Sequence, residues 1–208
     1  MKILVVAATQ FEIAPFIKLN PGIDTLITGV GIPSTVYYLS KKLLLEKYDL
    51  VIQAGIAGTF TKEIKLGDVI AVELDVFADI GVEENKKFKT LFNLGFNDFE
   101  EFPFRCGRLF NDLENFQFLN LKVATAVTVN KISDRKKHTK QLNKIFGADI
   151  ESMEGAAFHY VCIQQNVAFI QIRSVSNKVG ERDKTKWKIK DAVENLNNEL
   201  IKLIDTVK

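Results

Sequence analysis

The chain has 208 residues, 47% of them hydrophobic and 26% charged, with a formal net charge of +2. These values are typical of a globular domain, and so small a net charge gives no bias toward nucleic acid or membranes. The two cysteines, Cys106 and Cys162, are too few for a disulfide framework or a zinc site, which predicts reduced thiols in a cytoplasmic protein.

The hydrophobic pattern alternates between strands and helices along the chain. The first apolar run, residues 3–8, predicts a buried strand rather than a signal peptide, because it is short and continues directly into polar residues. No segment approaches the roughly 20 apolar residues that span a bilayer. The predicted strands are 3–8, 25–28, 50–54, 69–76, 121–128, 148–152 and 169–175, and the predicted helices are 10–19, 33–47, 134–146, 154–165 and 191–207.

This alternation predicts an α/β fold: a single domain over residues 1–208, built as a three-layer sandwich. Its central sheet would be mixed but largely parallel, with helices on both faces.

One segment, residues 85–118, interrupts the alternation with phenylalanines and mixed charges. Its aromatic residues are Phe88, Phe92, Phe96, Phe99, Phe102, Phe104, Phe110, Phe116 and Phe118. A satellite core beneath a long irregular connection would explain them. An aromatic wall for a ligand or a subunit interface would explain them equally well, because aromatic residues are enriched in both.

Two glycine clusters follow predicted strands. Gly29-Val30-Gly31 lacks the third glycine of the dinucleotide fingerprint, and Gly55-Ile56-Ala57-Gly58 has no Lys-Ser/Thr pair of the phosphate-binding loop. Each therefore predicts a tight turn closing a strand. At the end of a strand, such a turn would also let backbone N–H groups approach a small ligand.

Three polar residues follow predicted strands. Glu12 comes in the turn after the first strand, Glu154 follows the strand 148–152, and Asn177 follows the strand 169–175. The carboxyl ends of strands in a doubly wound sheet meet at one edge, so these side chains would converge there. Taken separately, each glutamate is as well explained as a partner of a helix dipole.

Several motifs resemble those of the purine nucleosidase and nucleoside phosphorylase family. The specific ones are Glu151-Ser152-Met153-Glu154-Gly155-Ala156-Ala157 and Arg173-Ser174-Val175-Ser176-Asn177, supported by the glycine clusters and by Leu66-Gly67-Asp68-Val69. The resemblance covers essentially the whole chain. It is greatest to the hydrolases that act on futalosine, with the methylthioadenosine/adenosylhomocysteine nucleosidases as near relatives.

The resemblance implies a site for a purine nucleoside that needs no metal and no cofactor. It implies that Glu154 bridges the ribose hydroxyls, that Met153 packs under the sugar, and that Glu12 deprotonates the attacking water. A carboxylate near the ribose would stabilise the positive charge that develops there in the transition state. The matching positions also imply substrate contacts from Ser152, Ser176, Ala57, Gly58, Val129 and Asn130.

Asn177 distinguishes the chain from the adenine-releasing nucleosidases, which the resemblance implies carry Asp at this position. A 6-oxopurine presents two acceptors, O6 and N7, and an amide can donate to them whereas an ionised Asp cannot. Asn177 therefore predicts hypoxanthine as the leaving group. Because an amide is not a general acid, it would stabilise the departing base by hydrogen bonding.

The chain has no arginine before Arg105, whereas phosphate binding in the family typically takes arginines from the amino-terminal half. The sequence therefore favours water as the second substrate. The resemblance implies hydrolysis of futalosine in menaquinone biosynthesis. We expect Phe104 and Arg105 to contact the benzoate-bearing arm of futalosine, from the same or a neighbouring subunit.

The resemblance also implies a homo-oligomer, and neither nucleic acid nor a membrane is expected as a partner. Two alternative functions stay open. One is an adenine-releasing nucleosidase of the methylthioadenosine type, which Asn177 disfavours. The other is a non-catalytic nucleoside-binding protein, which the retention of both Glu12 and Glu154 disfavours.

Overall fold

The computed structural model describes residues 1–111 and 119–207. The strands are β1 (Ile3–Ala7), β2 (Asp24–Ile27), β3 (Leu50–Thr59), β4 (Val69–Phe77), β5 (Gly81–Glu84), β6 (Lys87–Thr90), β7 (Leu109–Phe110), β8 (Lys122–Thr128), β9 (Ile150–Ser152) and β10 (Phe169–Lys178). The helices are α1 (Gln10–Leu19), α2 (Ile32–Leu45), α3 (Lys136–Phe146), α4 (Gly155–Gln164) and α5 (Ile189–Val207), with a 3-10 turn over Lys184–Lys186. Within the described ranges, no helix combines the length and apolar character needed to cross a membrane.

The main sheet follows the order β10-β4-β8-β9-β3-β1-β2, while β5 and β6 form a separate hairpin. Strand β3 also pairs with β10, so β10, β4, β8, β9 and β3 close into a ring. Most of the pairings in the sheet are parallel; β10–β4, β3–β9 and β4–β7 are antiparallel. The predicted mixed, largely parallel sheet is confirmed, but its closure was not predicted.

Apolar side chains join the sheet to helices on both faces. Phe16 of α1 and Leu200 of α5 belong to the cluster on one face, and Leu39 of α2 and Phe158 of α4 to the cluster on the other. A third cluster, which includes Ile70, draws side chains from all five strands of the ring. Each such buried side chain stabilises the fold by about 1.5–3 kcal/mol, and the layers match the predicted α/β sandwich.

The strand predicted over 50–54 proved too short. Strand β3 continues through Gly55-Ile56-Ala57-Gly58 to Thr59, because its second half pairs with β10 on one side and β9 on the other. A side chain at Gly55 would collide with the Arg173 guanidinium, and a Cβ at Gly58 would lie 3.2 Å from Asn177 Nδ2. The two glycines therefore make room for neighbouring side chains rather than forming a turn.

The phenylalanine-rich segment is less irregular than predicted. It contains β6 and β7, and Phe92 packs against Phe99 and Phe104 with ring centroids 5.3 and 5.1 Å apart. Phe96, Phe99 and Phe102 are exposed, so the segment is only partly a satellite core. Phe116 and Phe118 lie outside the described residues.

Candidate active site

Three different elements bring Glu12, Glu154 and Asn177 to the second half of β3. Glu12 lies in α1 and accepts a hydrogen bond from the backbone of β3. Glu154 directly precedes α4, and Asn177 lies in β10 opposite Gly58. Strand β3 pairs with β1 over residues 50–53 and with β9 over residues 58–59, while β10 runs beside it over residues 51–59.

Glu12 is buried, and three donors hold its carboxylate. Oε1 accepts from the Ile56 N–H at 3.0 Å, and Oε2 accepts from the Thr9 N–H and the Thr9 hydroxyl, both at 2.9 Å. Glu12 lies in the first turn of α1, where a carboxylate also interacts favourably with the helix dipole. The structural role and the expected role in water activation are therefore compatible, because both require an ionised carboxylate in a fixed orientation.

Glu154 is held from two sides. Its Oε1 accepts from the Gly31 N–H at 3.0 Å, and its Oε2 lies 3.7 Å from Nη1 of Arg173. Burial raises the pKa of Glu154; the Arg173 guanidinium partly offsets this rise, and the nearby Glu12 adds to it. The glycine turn after β2 thus supplies a backbone N–H to the site, as the sequence suggested. This N–H donates to the carboxylate of Glu154 rather than to a ligand.

The sequence indicated Arg173 only as part of a motif, yet in the structure it contacts residues at the centre of the candidate site. Its side chain is 1% exposed, and its Nη2 donates to Gln53 Oε1 at 2.8 Å. No described residue accepts a hydrogen bond from its Nε. A signal for its role was present in the sequence, because an arginine inside a strand that is predicted to be buried is tolerated only when it is paired.

Asn177 lies within β10 rather than after it, at a bulge where Ser176 interrupts the pairing with β3. Its Oδ1 accepts from the Ser176 hydroxyl at 2.8 Å, and its Nδ2 donates to the Lys178 carbonyl at 2.9 Å. These bonds fix the orientation of the amide, with Nδ2 on the side of Gly58. The second hydrogen of Nδ2 is available for a ligand.

The other predicted contacts differ in position. Met153 is half-buried beside Glu154, and the Ser152 hydroxyl accepts from the N–H of Gly155 at the start of α4. Ala57 is a core residue of the ring. The Val129 side chain is buried in the cluster beneath α3, whereas Asn130 is exposed and bonded to Asp79 through its N–H and Nδ2.

The structure does not bring Phe104 and Arg105 to these residues. They line a cavity of about 830 Å³ together with Asn111, Cys162 and Phe169. Phe169 begins β10, whereas Asn177 is near its end, so the cavity lies at the opposite edge of the sheet. Within one chain, the expected contacts with the arm of the substrate are therefore separate from the two glutamates.

A buried polar network that was not predicted lies behind Glu154. Asp75 accepts from the Thr128 hydroxyl at 2.8 Å and from Gln171 Nε2 at 3.3 Å, and the Thr128 hydroxyl accepts from the Ala156 N–H of α4 at 2.7 Å. Burial raises the pKa of Asp75 to about 6 and lowers that of the neighbouring His159 to about 3. The network therefore holds the amino-terminal end of α4, which carries Glu154.

The fold and this set of residues match known proteins. A family model described as the phosphorylase superfamily matches residues 25–207, and the chain belongs to that superfamily. The futalosine hydrolase of Thermus thermophilus is 30% identical over 213 residues, which cover 93% of this chain and 91% of the relative. The 5'-methylthioadenosine/S-adenosylhomocysteine nucleosidase of Tolumonas auensis is 27% identical, covering 76% of this chain and 70% of the relative.

Solved structures confirm the fold. The native structure of futalosine hydrolase of Helicobacter pylori matches with a TM-score of 0.81 at 18% identity, covering 99% of this chain and 98% of the other. The family resemblance inferred from the motifs is confirmed.

Proposed function

We propose that this chain hydrolyses the N-glycosidic bond of futalosine, releasing hypoxanthine and dehypoxanthine futalosine in menaquinone biosynthesis. The observation that carries the proposal is the convergence of two buried carboxylates, Glu12 and Glu154, with the Asn177 amide on β3. The similarity to the Thermus thermophilus futalosine hydrolase over nine-tenths of both chains supports it.

The two carboxylates take different parts in the reaction. As the bond from ribose to base breaks, positive charge develops on the sugar, and Glu154 stabilises it electrostatically while Met153 packs beneath the ring. Glu12 accepts a proton from the attacking water molecule while the oxygen of that water bonds to the anomeric carbon of the ribose. The Ile56 N–H and Thr9 hold the Glu12 carboxylate in the orientation that this step needs.

Asn177 stabilises the departing base. Negative charge develops on the 6-oxopurine, and the Nδ2 hydrogen that is not donated to Lys178 binds an acceptor on its edge. Because Ser176 donates to Oδ1, the amide presents its donor rather than its acceptor to the base. This polarity suits hypoxanthine better than adenine.

Water rather than phosphate is the second substrate. Arg173 is the only arginine close to the two glutamates among the described residues, and its guanidinium is already engaged with Glu154 and Gln53. A phosphate at the anomeric carbon would therefore lack the forked donor that usually binds it. The site suits a small neutral nucleophile.

We also propose that the enzyme works in the cytoplasm as a homo-oligomer. Because Phe104 and Arg105 lie far from Glu12 within one chain, a neighbouring subunit must supply any contact they make with the arm of the substrate. Helix α2 exposes Tyr37, Tyr38, Leu44 and Leu45, which suits a subunit contact.

An adenine-releasing nucleosidase is the second candidate. The similarity to the Tolumonas auensis nucleosidase favours it, and Asn177 argues against it. A binding protein without catalytic activity is disfavoured, because binding alone does not need a positioned base at Glu12.

The test is to incubate the protein with futalosine, inosine or methylthioadenosine in phosphate-free buffer and to quantify the released bases by chromatography. We expect hypoxanthine from futalosine, and loss of at least about 100-fold in kcat for Glu154→Gln, because an interaction specific to the transition state is removed. Glu63→Gln, at an exposed position, is the matched control. Release of adenine from methylthioadenosine instead would establish the second candidate.

A further inference from the structure

Glu151 is a buried carboxylate that the mechanism does not use. It lies in β9, three residues before Glu154, and is 6% exposed. Among the described residues, none donates a hydrogen bond to its side chain and no cation pairs with it. Its carboxylate oxygens keep some contact with solvent, so they are open to a hydrogen-bond donor from a ligand.

The strand register places Glu151 beside the expected position of the base. Glu151 pairs with Gly58 across the antiparallel β9–β3 ladder, and Gly58 pairs with Asn177 across the parallel β3–β10 ladder. Residues directly opposite in neighbouring strands project from the same face of a sheet. The three residues thus form one row, in which Gly58 has no side chain between the carboxylate and the amide.

The spacing of this row suits a flat ring. Neighbouring strands lie about 4.8 Å apart, so the backbones at Glu151 and Asn177 are separated by roughly 10 Å. A Cβ at Gly58 would lie 3.2 Å from Asn177 Nδ2 and 3.1 Å from Val179 Cγ2, so the Asn177 amide and the Val179 side chain already cover this glycine. A purine that rests against the Asn177 amide on the Glu151 side of this row would have one edge near Asn177 and the adjoining edge near Glu151.

The chemistry of a 6-oxopurine completes the row. Hypoxanthine presents two acceptors, O6 and N7, which suit the Asn177 amide, and one donor beside them, N1–H, which needs an acceptor. We propose that the carboxylate of Glu151 accepts the N1–H of the departing base and so determines the specificity for 6-oxopurines together with Asn177. This inference rests on the proposed function and adds a residue to it.

Two further observations agree with this role. Burial is the main cause, and the negative charge of the nearby Asp79 a smaller one, of a rise in the pKa of Glu151 to about 7. A hydrogen-bond donor from the ligand would therefore stabilise the ionised form of this carboxylate. Asp79 is itself occupied by the N–H and Nδ2 of Asn130, which leaves Glu151 as the carboxylate available to the ligand. Above about pH 7, where the Glu151 carboxyl is ionised, adenine would meet it with the unprotonated N1, an acceptor facing an acceptor.

The experiment measures kcat/KM for futalosine and for its 6-amino counterpart with wild type, Glu151→Gln and Glu151→Ala. A glutamine can donate to the N1 of adenine, so Glu151→Gln should shift the ratio toward the amino substrate by about 100-fold. Glu151→Ala should weaken futalosine cleavage without any gain for the amino substrate. Glu63→Gln is the control, and a ratio that stays within twofold of wild type in Glu151→Gln overturns the proposal.

Binding of the free bases separates this inference from the proposed function. Calorimetry at pH 8 should show wild type binding hypoxanthine at least tenfold more tightly than 1-methylhypoxanthine, which lacks the N1 hydrogen, and Glu151→Ala losing this preference. Binding without futalosine cleavage would leave Glu151 in its role while refuting the hydrolase. Equal binding of the two bases by wild type, or no binding of hypoxanthine, would refute the role of Glu151 even if futalosine is cleaved.

Discussion

Asp75 shows how a single side chain connects the core to the site. It is fully buried, yet it accepts hydrogen bonds from Thr128, Gln171 and the backbone of Val76. These donors, and the charge of Arg173, compensate in part for the loss of water around the carboxylate. Burial still has the larger effect, so the protonated form is favoured in the folded protein relative to the unfolded chain.

Replacing Asp75 with Asn should therefore change stability in a pH-dependent way. The pKa of Asp75 is raised from 3.8 to about 6, so this group lowers the stability of the wild type progressively as pH rises from about 4 through about 6, and the penalty is constant above that. Below about pH 4 the carboxyl is neutral in both states and the penalty is absent. The free energy of unfolding of Asp75→Asn minus that of wild type should therefore be up to about 3 kcal/mol more favourable to the variant at pH 7.5 than at pH 4.

Urea unfolding of both proteins between pH 4 and 8 measures this difference. Asp205→Asn, at an exposed position of α5, controls for the general effect of removing a charge. A free-energy difference between Asp75→Asn and wild type that is flat over the whole pH range would contradict the burial argument.

Helix α4 positions Glu154, and its first turn packs without spare room. The Gly155 N–H donates to the Ser152 hydroxyl, and a side chain at Gly155 would collide with the carboxylate of Asp75 and the amide of Gln171. These residues are buried and bonded to one another, so they cannot move aside without breaking the network.

Gly155→Ala should therefore displace the start of α4. We expect a loss of about 2–3 kcal/mol in the free energy of unfolding, as is usual for overpacking, together with a fall in kcat as Glu154 moves. Gly22→Ala, where an added Cβ would meet no heavy atom within 4 Å, should leave both quantities near wild type. Full activity of Gly155→Ala would show that α4 does not fix Glu154.

The elements were largely predictable, but the pairings that build the site were not. Helix α1 matches its predicted bounds, because its hydrophobic period and flanking residues are local signals. The glycines of β3 were predicted to form a turn, but they belong to a strand. Glycine is needed there because the side chains of Arg173 and Asn177, more than a hundred residues away in sequence, occupy the space that a side chain would fill. Three polar residues of the candidate site were predicted from their strand ends, whereas Arg173 was predicted only as part of a motif and Asp75 was not predicted at all.

The site depends on the whole chain, because its contacts join distant segments. The bond from Ile56 to Glu12 spans 44 residues, that from Gly31 to Glu154 spans 123, and that from Arg173 to Gln53 spans 120. Two of these bonds involve β3, and the third is joined to them through Arg173, which contacts both Glu154 and Gln53. Loop-closure entropy must be overcome before any of them forms, so the site is a property of the complete fold.

The outer surface of the molecule carries the last prediction. Tyr37 and Leu44 lie seven residues apart on α2, as do Tyr38 and Leu45, so the four exposed side chains form two apolar pairs on one face of the helix, on either side of the exposed Lys41. Four large apolar side chains exposed on one helix face of an isolated chain would favour association. If a second copy covers this face, Leu44→Lys should place a charge in the contact and convert the oligomer to monomers.

Light scattering of the purified proteins tests this. We expect wild type to have a mass of at least twice the 23.5 kDa of one chain, and Leu44→Lys to approach 23.5 kDa with its circular dichroism unchanged. Ile145→Lys, at another exposed apolar position on α3, should keep the wild-type mass. Because a neighbouring subunit would supply Phe104 and Arg105, the monomer should also lose cleavage of futalosine more than that of inosine, which lacks the arm. A wild-type protein that stays at 23.5 kDa at every concentration would refute both the subunit contact and the shared pocket.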